Sequence, residues 1–406
     1  MPPESALWQR VEQLAREVLA SYNYREIRLP LFEETEVFAR SVGRETDIVT
    51  KEMYTFEDRD GRSLALRPEA TASVVRAYIQ NRLYSQPGLV KLYTIGPMFR
   101  RERPQKGRYR QFYQINAEVL GKSDYPAIDA EVIETALVFL DRCGLRERTL
   151  YVNSIGCAHC RPDYVEKLKR ALAKVSTKLG HDSQRRVDTN PLRVLDSKLP
   201  QEQAVIEKLP SILDHLCAAC RKHFAQFQQE LKERNIPYEI NWRLVRGLDY
   251  YMRTTFEITV PGLGAQNAIL GGGRYDGLSE LLGGPPAKGI GWALGTDRFL
   301  LALQQTTAAR PAEALDIFLA WLGDAAYREA LRLARALREK NFRVEMAYEE
   351  TKLRKSLDLA NKLHARYTLI LGEDELKQGK FTLREMATGE QQLLTEAELL
   401  AALRPP

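Results

Sequence analysis

The segment FRRERPQKGRYRQFYQ, residues Phe99–Gln114, concentrates positive charge between two apolar stretches. Six of its sixteen residues are basic, and one, Glu102, is acidic; the basic residues are Arg100, Arg101, Arg103, Lys106, Arg108 and Arg110. The preceding KLYTIGPMF and the following QFYQINAEVLG have the apolar and aromatic composition of β-strands. The pattern predicts two antiparallel strands joined by a basic loop.

The returning strand carries polar residues where an apolar face is expected. Alternation places Phe112, Gln114 and Glu118 on one face of this strand. Inward-facing Gln and Glu side chains need hydrogen-bond partners or a ligand. Arginine binds phosphate oxygens in a bidentate way, and Phe112 offers an apolar surface to a purine. The segment therefore indicates a nucleoside triphosphate site rather than a solvated hairpin, although the chain has no GxxxxGK[ST] phosphate loop.

Length and composition place the chain among globular proteins of two or three domains. It has 406 residues, of which 44% are hydrophobic and 28% charged, and its net charge of +6 permits a polyanionic partner. We expect no membrane span, because no window approaches about 20 uncharged apolar residues. The N-terminal MPPESALWQRVEQLAREVLASY predicts an amphipathic helix rather than a signal peptide. Five cysteines without an export signal favour the cytoplasm.

The residue composition and the hydrophobic pattern change along the chain, and these changes predict its domains. We expect an α+β domain built on an antiparallel sheet over residues 1–310, interrupted by a mainly helical insertion at 157–238. The stretch QQTTAARPAEA, residues 304–314, is typical of a linker. Beyond it, over residues 315–406, strand-like IFLAWL, FRVEMAY and YTLILG alternate with helical segments, which predicts an α/β domain.

Two cysteine pairs lie near the ends of the predicted insertion. Cys157 and Cys160 form one C-x-x-C pair, and Cys217 and Cys220 form the other. Four thiolates suit a tetrahedral structural zinc ion. The 56 residues between the pairs exceed the spacing of compact zinc fingers, so reduced structural thiols are an equal alternative.

Several segments together resemble the class II aminoacyl-tRNA synthetases. FRRERPQKGRYRQFYQINAEV resembles their motif 2, GIGWALGTDRFLLAL resembles motif 3, and RLPLFEETEVFARSVG resembles motif 1, which builds a dimer interface. LVRGLDYYMRTTFE and AILGGGRYDGL are similar to the two histidine-specific motifs of histidyl-tRNA synthetases. LALRPEATASVVRAY is similar to that family's RPEGT segment, with Ala70 in place of glycine.

The resemblance implies a role for each matching residue. Arg100 and Arg246 would be catalytic: Arg100 would bridge the amino acid carboxylate and the α-phosphate of ATP, and Arg246 would take the position that a metal ion fills in related enzymes. The implied ATP-binding residues are Arg100, Glu102, Arg108, Tyr109, Phe112 and Arg298. The implied histidine-binding residues are Glu69, Ala70, Thr71, Gln114, Glu118, Arg246, Tyr250, Tyr251 and Tyr275. For Arg246 an alternative is a structural salt bridge with Asp249, and for each tyrosine it is core packing.

The implied activity is ATP-dependent formation of histidyl-adenylate, followed by transfer to the 3′ end of tRNA(His). The substrates would be histidine, ATP with Mg²⁺ and tRNA(His), and the enzyme would be a cytoplasmic homodimer. Residues 315–406 resemble an anticodon-binding domain. Their basic cluster, which is an RNA contact or a solvated helix face, comprises Lys352, Arg354, Lys355, Lys362 and Arg366.

Three other functions are compatible with parts of this pattern. A regulatory paralogue of histidine biosynthesis would keep the fold without charging tRNA, but it normally lacks the anticodon domain and an intact RGLDYY run. A synthetase for another amino acid is disfavoured by the two histidine-specific motifs. A non-catalytic nucleic-acid-binding protein would not need the inward-facing Gln114 and Glu118.

Overall fold

A computed structural model of the chain describes residues 4–44, 46–105, 107–264, 267–305 and 315–403. The chain divides into two units, one holding the described residues from 7 to 305 and the other those from 315 to 403. Lys106 of the basic loop and residues 306–314 of the predicted linker lie outside the described residues.

An eight-stranded sheet forms the centre of the larger unit. With strands numbered in chain order, it comprises β1 (Arg25–Glu26), β5 (Val90–Phe99), β6 (Gln111–Gly121), β7 (Thr149–Ser154), β8 (Glu239–Ile240), β9 (Met252–Thr259), β10 (Ala268–Arg274) and β11 (Lys288–Gly295). Their order across the sheet is β1-β5-β6-β11-β10-β9-β7-β8. The six central strands pair antiparallel, and β1 and β8 add parallel edges. The predicted strand pair around the basic loop is β5 and β6, which confirms the α+β fold class.

Helices bury one face of this sheet in a large apolar core. They are α1 (Glu4–Ser21), α4 (Pro126–Arg142) and α10 (Thr296–Gln304). The predicted apolar stripe of α1 points into the core, where Val11 and Val18 are buried and Leu7 and Leu14 pack against them. Phe139 of α4 and Phe299 of α10 meet with ring centroids 5.6 Å apart.

A small sheet and short helices include the segment that resembles motif 1 and the segments that follow it in the chain. The three-stranded sheet, of order β2-β4-β3, comprises β2 (Phe32–Glu34), β3 (Thr55–Glu57) and β4 (Ser63–Leu66). The hairpin of β3 and β4 turns at Gly61, whose φ of 75° suits glycine. The helices are α2 (Thr35–Val42), α3 (Thr71–Gln80) and α9 (Leu278–Leu281), with a π-helical turn at Ile48–Glu52 and a 3₁₀ turn at Leu83–Ser85. The RPEAT segment leads directly into α3.

All the regular secondary structure in the segment between β7 and β8 is helical. Its α-helices are α5 (Arg161–Ala173), α6 (His181–Thr189), α7 (Pro200–Ile206) and α8 (Ala218–Glu233). Three 3₁₀ turns lie among them at Ser176–Lys178, Pro191–Asp196 and Ile212–His215. Phe224 and Phe227 of α8 join the large core, so α8 packs on the eight-stranded sheet and its helices.

The smaller unit is an α/β domain with a five-stranded sheet, as predicted. The strands are β12 (Ile317–Trp321), β13 (Val344–Met346), β14 (Tyr367–Leu371), β15 (Phe381–Glu385) and β16 (Gln391–Leu394), in the order β13-β12-β14-β15-β16. The first three pair parallel and the last two add antiparallel strands. The helices are α11 (Asp324–Glu339), α12 (Leu353–Lys362), α13 (Glu373–Gln378) and α14 (Glu396–Ala402). Among the described residues of both units, we find no helix with the length and apolarity needed to span a bilayer.

Candidate active site

A cavity of about 300 Å³ opens at the base of the basic loop. Five separate sequence segments line it: the basic loop with β6, Arg246, Glu257 of β9, the start of β10, and the continuous end of β11 and start of α10. All six residues predicted to bind ATP line it, together with Gln114 and Arg246: Arg100, Glu102, Arg108, Tyr109, Phe112 and Arg298. The neighbouring Arg101 and Arg103 instead line a separate, more open depression.

An acid at the loop orients the arginines of the cavity. The Glu102 carboxylate pairs with Arg108 at 3.2 Å and lies 3.9 Å from the Arg100 guanidinium. Arg100 also donates through Nε to the Pro68 carbonyl at 2.9 Å, and its guanidinium stands 5.2 Å from the Phe112 ring centroid. These contacts hold the Arg100 fork at the end of β5, where its other donors remain available to a ligand.

Arg246 and Arg298 approach the cavity from the opposite side. Arg246 pairs with Glu257 of β9 at 3.0 Å, and not with Asp249 as the alternative interpretation supposed. Burial lowers the pKa of Arg246, but Tyr251 and Glu257 outweigh it and raise that pKa above its usual value. Arg298 donates to the Ala268 carbonyl at 2.9 Å, while burial and then Arg108 lower its pKa.

Two polar atoms at the cavity lack partners within the described part of the chain. These are Gln114 Oε1 and Arg246 Nε, both buried. Buried polar atoms are normally paired, so unpaired ones beside a cavity indicate a polar ligand. Gln114 and Arg246 are both predicted to bind histidine. Both line the same cavity as the predicted ATP-binding residues.

The remaining predicted histidine-binding residues form a buried cluster around two carboxyl groups. The first is Glu69, which accepts hydrogen bonds from the backbone amides of Thr71 at 2.7 Å and Ala72 at 2.8 Å. Tyr250 donates to the same carboxylate at 3.3 Å. Burial raises the pKa of Glu69, and these backbone donors oppose the rise. Ala70, fully buried, lies in the turn that carries Glu69 into α3.

Glu118 is the second carboxyl group, and it is almost completely buried on β6. It accepts hydrogen bonds from Thr71 Oγ1 at 2.7 Å and from the Tyr275 hydroxyl at 2.6 Å. Burial, with a smaller contribution from Glu69, raises the pKa of Glu118 to about 8 despite these two donors. Burial also raises the pKa values of Tyr250, Tyr251 and Tyr275, so these phenols stay neutral donors.

Arg246 joins the arginine cavity to the carboxyl cluster. Its guanidinium carbon lies 5.9 Å from the Tyr251 ring centroid, and Tyr251 packs on Tyr250 with centroids 4.7 Å apart. Tyr250 in turn meets the Tyr275 ring edge-on at 5.8 Å. An amino acid whose side chain entered the carboxyl cluster would therefore present its carboxylate near Arg246 and the cavity.

Sequence reasoning missed three residues that shape this site. Glu257, which pairs with Arg246, looks in sequence like any solvated strand residue. Two glycines provide space: a β-carbon at Gly271 would overlap the Arg246 guanidinium, and one at Gly291 would overlap the Glu118 carboxyl. Gly291 lies opposite Glu118 in the ladder of β6 and β11, so only strand register reveals its role.

The four paired cysteines converge in a separate cluster, which we call the cysteine cluster. The sulfur atoms of Cys157 and Cys160 lie 3.8 Å apart, those of Cys157 and Cys217 lie 3.8 Å apart, and those of Cys160 and Cys220 lie 3.9 Å apart. All four sulfurs fall within 4.8 Å of one another. A tetrahedron with Zn–S bonds of about 2.3 Å has S···S edges of about 3.8 Å. The spacing therefore fits one zinc ion and is far too long for disulfides.

The predicted basic cluster of the smaller unit lies on and around α12. Each of its side chains is exposed: Lys352, Arg354, Lys355, Lys362 and Arg366. Arg366 also stacks over the Tyr367 ring at 5.0 Å. Exposure makes this surface available to a polyanion, and it is equally what a solvated helix face shows.

Comparison with known proteins gives one consistent family. The model of the family "Histidyl-tRNA synthetase" matches residues 1–299, and that of "Anticodon binding domain" matches residues 316–405. A histidine–tRNA ligase of Solibacter usitatus is 55% identical over 99% of this chain and 96% of its own length. One from Koribacter versatilis is 53% identical over 100% of this chain and 94% of its own. The structure of apo S. aureus histidyl-tRNA synthetase superimposes with a TM-score of 0.80 at 35% identity, covering 99% of this chain and 97% of that one.

Proposed function

The chain belongs to the histidyl-tRNA synthetase family, and we propose that it joins histidine to ATP as histidyl-adenylate and transfers the histidyl group to tRNA(His). One observation carries the proposal: an arginine-lined cavity adjoins a buried Glu118–tyrosine cluster, with Arg246 between them. The regulatory-paralogue alternative is disfavoured because full-length relatives at 53–55% identity are histidine–tRNA ligases. A purely nucleic-acid-binding role would leave the buried carboxyl cluster without a purpose.

The arginines of the cavity suit the chemistry of activation. A carboxylate oxygen of histidine attacks the α-phosphorus of ATP, a new P–O bond forms, and the bond to the departing pyrophosphate breaks. Both reactants are anionic, so preorganised cations lower the barrier, and removing one such contact typically costs about 3–4 kcal/mol. We assign Arg100 and Arg246 to the carboxylate and α-phosphate, and Arg108 and Arg298 to the outer phosphates. Phe112 would pack on the adenine, and Tyr109 and Glu102 would line the nucleotide site.

The carboxyl cluster suits the histidine side chain and ammonium group. Glu118, held by Thr71 and Tyr275, would accept the imidazole N–H, and Tyr251 would pack beside the ring. Glu69 and Gln114 would bind the α-ammonium group, with Tyr250 closing the pocket over it. A site that hydrogen-bonds the imidazole rejects amino acids lacking these donors, because its own polar groups would stay unpaired.

Two metal ions belong to the proposal. Mg²⁺ enters with ATP as part of the substrate and neutralises the polyphosphate. Zinc would bind the four thiolates of the cysteine cluster, since their spacing fits a tetrahedral site. Bound there, the ion would supply structural cross-linking between the starts of α5 and α8, and no chemical step passes through it.

We further propose a homodimer, with the motif 1 region at the interface. Phe32 of β2 and Phe56 of β3 form an edge-on pair with centroids 6.2 Å apart, yet they are 52% and 45% exposed. Leu31 beside them is 44% exposed. An exposed aromatic pair of this kind is costly in water and suits burial against a second copy of the chain.

The domain assignment and the place of action complete the proposal. The catalytic domain would span residues 1–310 with the insertion at 157–238, and residues 315–406 would bind the anticodon region of tRNA(His). Protein synthesis, which consumes charged tRNA, takes place in the cytoplasm, so we place the enzyme there.

Amino-acid-dependent ATP–pyrophosphate exchange tests the activity directly. Each of the twenty standard amino acids is supplied in turn with ATP, Mg²⁺ and labelled pyrophosphate. We expect exchange with histidine alone. Exchange with a different amino acid, or none with histidine, would refute the proposal.

A further inference from the structure

The backbone next to the cysteine cluster is hydrogen-bonded to the segment that carries Tyr251. Cys157 lies three residues beyond the end of β7, directly after Gly156, and the Gly156 carbonyl accepts a hydrogen bond from the Arg253 amide at 2.7 Å. The Arg253 carbonyl in turn accepts from the Ile155 amide at 2.8 Å. Arg253 is two residues beyond Tyr251, so the chain entering the cluster is paired with the chain leaving the pocket.

Arg161 makes a second connection between the two places. It is the first residue of α5, directly after Cys160, and its own amide donates to the Cys157 carbonyl at 2.9 Å. Its side chain reaches across and donates through Nη2 to the Tyr251 carbonyl at 2.7 Å. The C-x-x-C turn therefore fixes the position of Arg161, and Arg161 fixes the peptide that carries Tyr251.

The pocket segment needs such support because its backbone is strained. Arg253 has a φ of 49°, in the left-handed region that non-glycine residues seldom occupy. The ladder between β9 and β10 shifts register here, so Arg274 lies opposite Met252 while Gly273 lies opposite Thr255. Regular strand pairing alone does not hold residues 251–253, and the two connections from the cysteine cluster supply what the ladder lacks.

Side-chain packing also connects the cysteine cluster with the tyrosines of the pocket. Cys160 and Cys220 share one buried apolar core with Tyr250, Tyr251 and Tyr275. A β-carbon at Gly156 would come within 2.8 Å of the Cys160 sulfur, so the turn is closed tightly around that thiol. Displacement of the thiols would therefore disturb the core that also contains the tyrosines.

From these contacts we propose that the zinc-loaded cysteine cluster is coupled to histidine binding, with Arg161 as the positioning residue that connects them. The inference rests on the proposed function, because it takes the pocket around Tyr251 to be the histidine site. Coupling between two sites is reciprocal at equilibrium, so bound histidine must raise the affinity for zinc by the factor by which zinc raises the affinity for histidine.

Equilibrium competition for zinc between the intact protein and a chromogenic chelator tests the coupling. The affinity for zinc is measured with and without saturating histidine in wild type, Arg161→Ala, Arg161→Lys and Arg170→Ala; Arg170 is an exposed residue of the same helix. We expect histidine to raise the affinity for zinc by about fivefold or more in wild type and in Arg170→Ala. The effect should vanish in Arg161→Ala and return in part in Arg161→Lys, which can still donate to the Tyr251 carbonyl. The histidine concentration is the same for all four proteins, so its direct binding to zinc in solution cancels when the variants are compared with wild type.

A kinetic measurement separates positioning from general destabilisation. In the exchange assay, Arg161→Ala should raise KM for histidine by about fivefold or more, with KM for ATP unchanged and kcat within about twofold. Unchanged KM for histidine in this variant, or an equal effect of histidine on zinc affinity with and without Arg161, would overturn the inference alone. Absence of histidine-dependent exchange in wild type would refute the proposed function. Absence of zinc from protein purified without chelator would refute zinc binding by the cysteine cluster. The failure of each proposal can therefore be told apart from the failure of the others.

Discussion

The high pKa of Glu118 predicts how histidine affinity depends on pH. Free imidazole has a pKa of about 6.5, and burial brings the pKa of Glu118 in the empty pocket to about 8. Between these values Glu118 is protonated, free imidazole is neutral, and the bound pair shares that one proton. Binding then neither takes up nor releases a proton at this pair, so affinity should be level from about pH 6.5 to about pH 8.

Above pH 8 the sign of the effect follows from the raised pKa. The empty pocket loses its proton as pH rises through about 8, and binding must recover it, so affinity should fall about tenfold per pH unit. Glu118→Gln removes the titration, because a carboxamide is close in size to a carboxyl group but has no proton that titrates in this range. At pH 7 the variant should bind histidine about 10- to 150-fold more weakly, because a charge-assisted hydrogen bond is worth about 1.5–3 kcal/mol.

The ratio of the two dissociation constants isolates Glu118 from every other titrating group. The α-ammonium group of histidine titrates equally with both proteins and cancels. The variant-to-wild-type ratio should hold between pH 6.5 and pH 8 and shrink about 30-fold by pH 9.5, which is 1.5 pH units beyond the pKa. Titration calorimetry with histidine alone measures both constants. A ratio that stays constant from pH 7 to pH 9.5 would show that Glu118 does not share a proton with the imidazole.

Tyr275→Phe is the matched control for this measurement. The Tyr275 hydroxyl donates to Glu118 and lowers its pKa, so the variant retains the carboxyl but should begin its alkaline loss of affinity at higher pH. An onset unchanged from wild type would mean that the hydroxyl does not stabilise the carboxylate.

Four further outcomes are expected. Arg246→Ala should slow activation about 100-fold or more and Arg246→Lys should recover only part of the rate, in single-turnover assays of adenylate formation. Gly271→Ala should cause a similar loss without removing any charge, because its methyl group would occupy the position of the Arg246 guanidinium. Plasma emission analysis should find about one zinc per chain, and Cys157→Ser should release it and lower the melting temperature. Deleting residues 315–406 should spare pyrophosphate exchange but sharply reduce aminoacylation, whereas neutralising Lys352, Arg354 and Lys355 should flatten the salt dependence of tRNA binding in filter assays.

Local sequence patterns predicted the elements whose signals are themselves local. Alternation and the basic loop identified β5 and β6, and the amphipathic pattern of the N-terminal segment identified α1. Each of these rests on residues that are neighbours in the chain. The positions of the motif residues could also be predicted from the sequence, because the end of a strand or the start of a helix determines where a side chain lies.

The contacts that could not be predicted from the sequence depend on how distant segments pair in the fold. The space for Glu118 exists because Gly291 stands opposite it across the β6–β11 ladder, and no local signal marks that glycine among its neighbours. Glu257 pairs with Arg246 because the fold brings their separate segments together. The cysteine pairs, 56 residues apart, meet because α5 and α8 begin at the same place, and only that convergence shows that they adjoin the Tyr251 segment.

Electrostatics explains why acids accompany the arginines of the cavity. Four guanidinium groups around about 300 Å³ repel one another in the empty protein, as the lowering of the Arg298 pKa by Arg108 shows. Glu102 and Glu257 offset this repulsion, and they also fix the orientation of Arg108 and Arg246. Because each pair remains partly open to solvent, its ionic contact is weak enough for a phosphate to compete. The acids thus keep the cations charged and oriented before ATP binds, which is what preorganisation of the site requires.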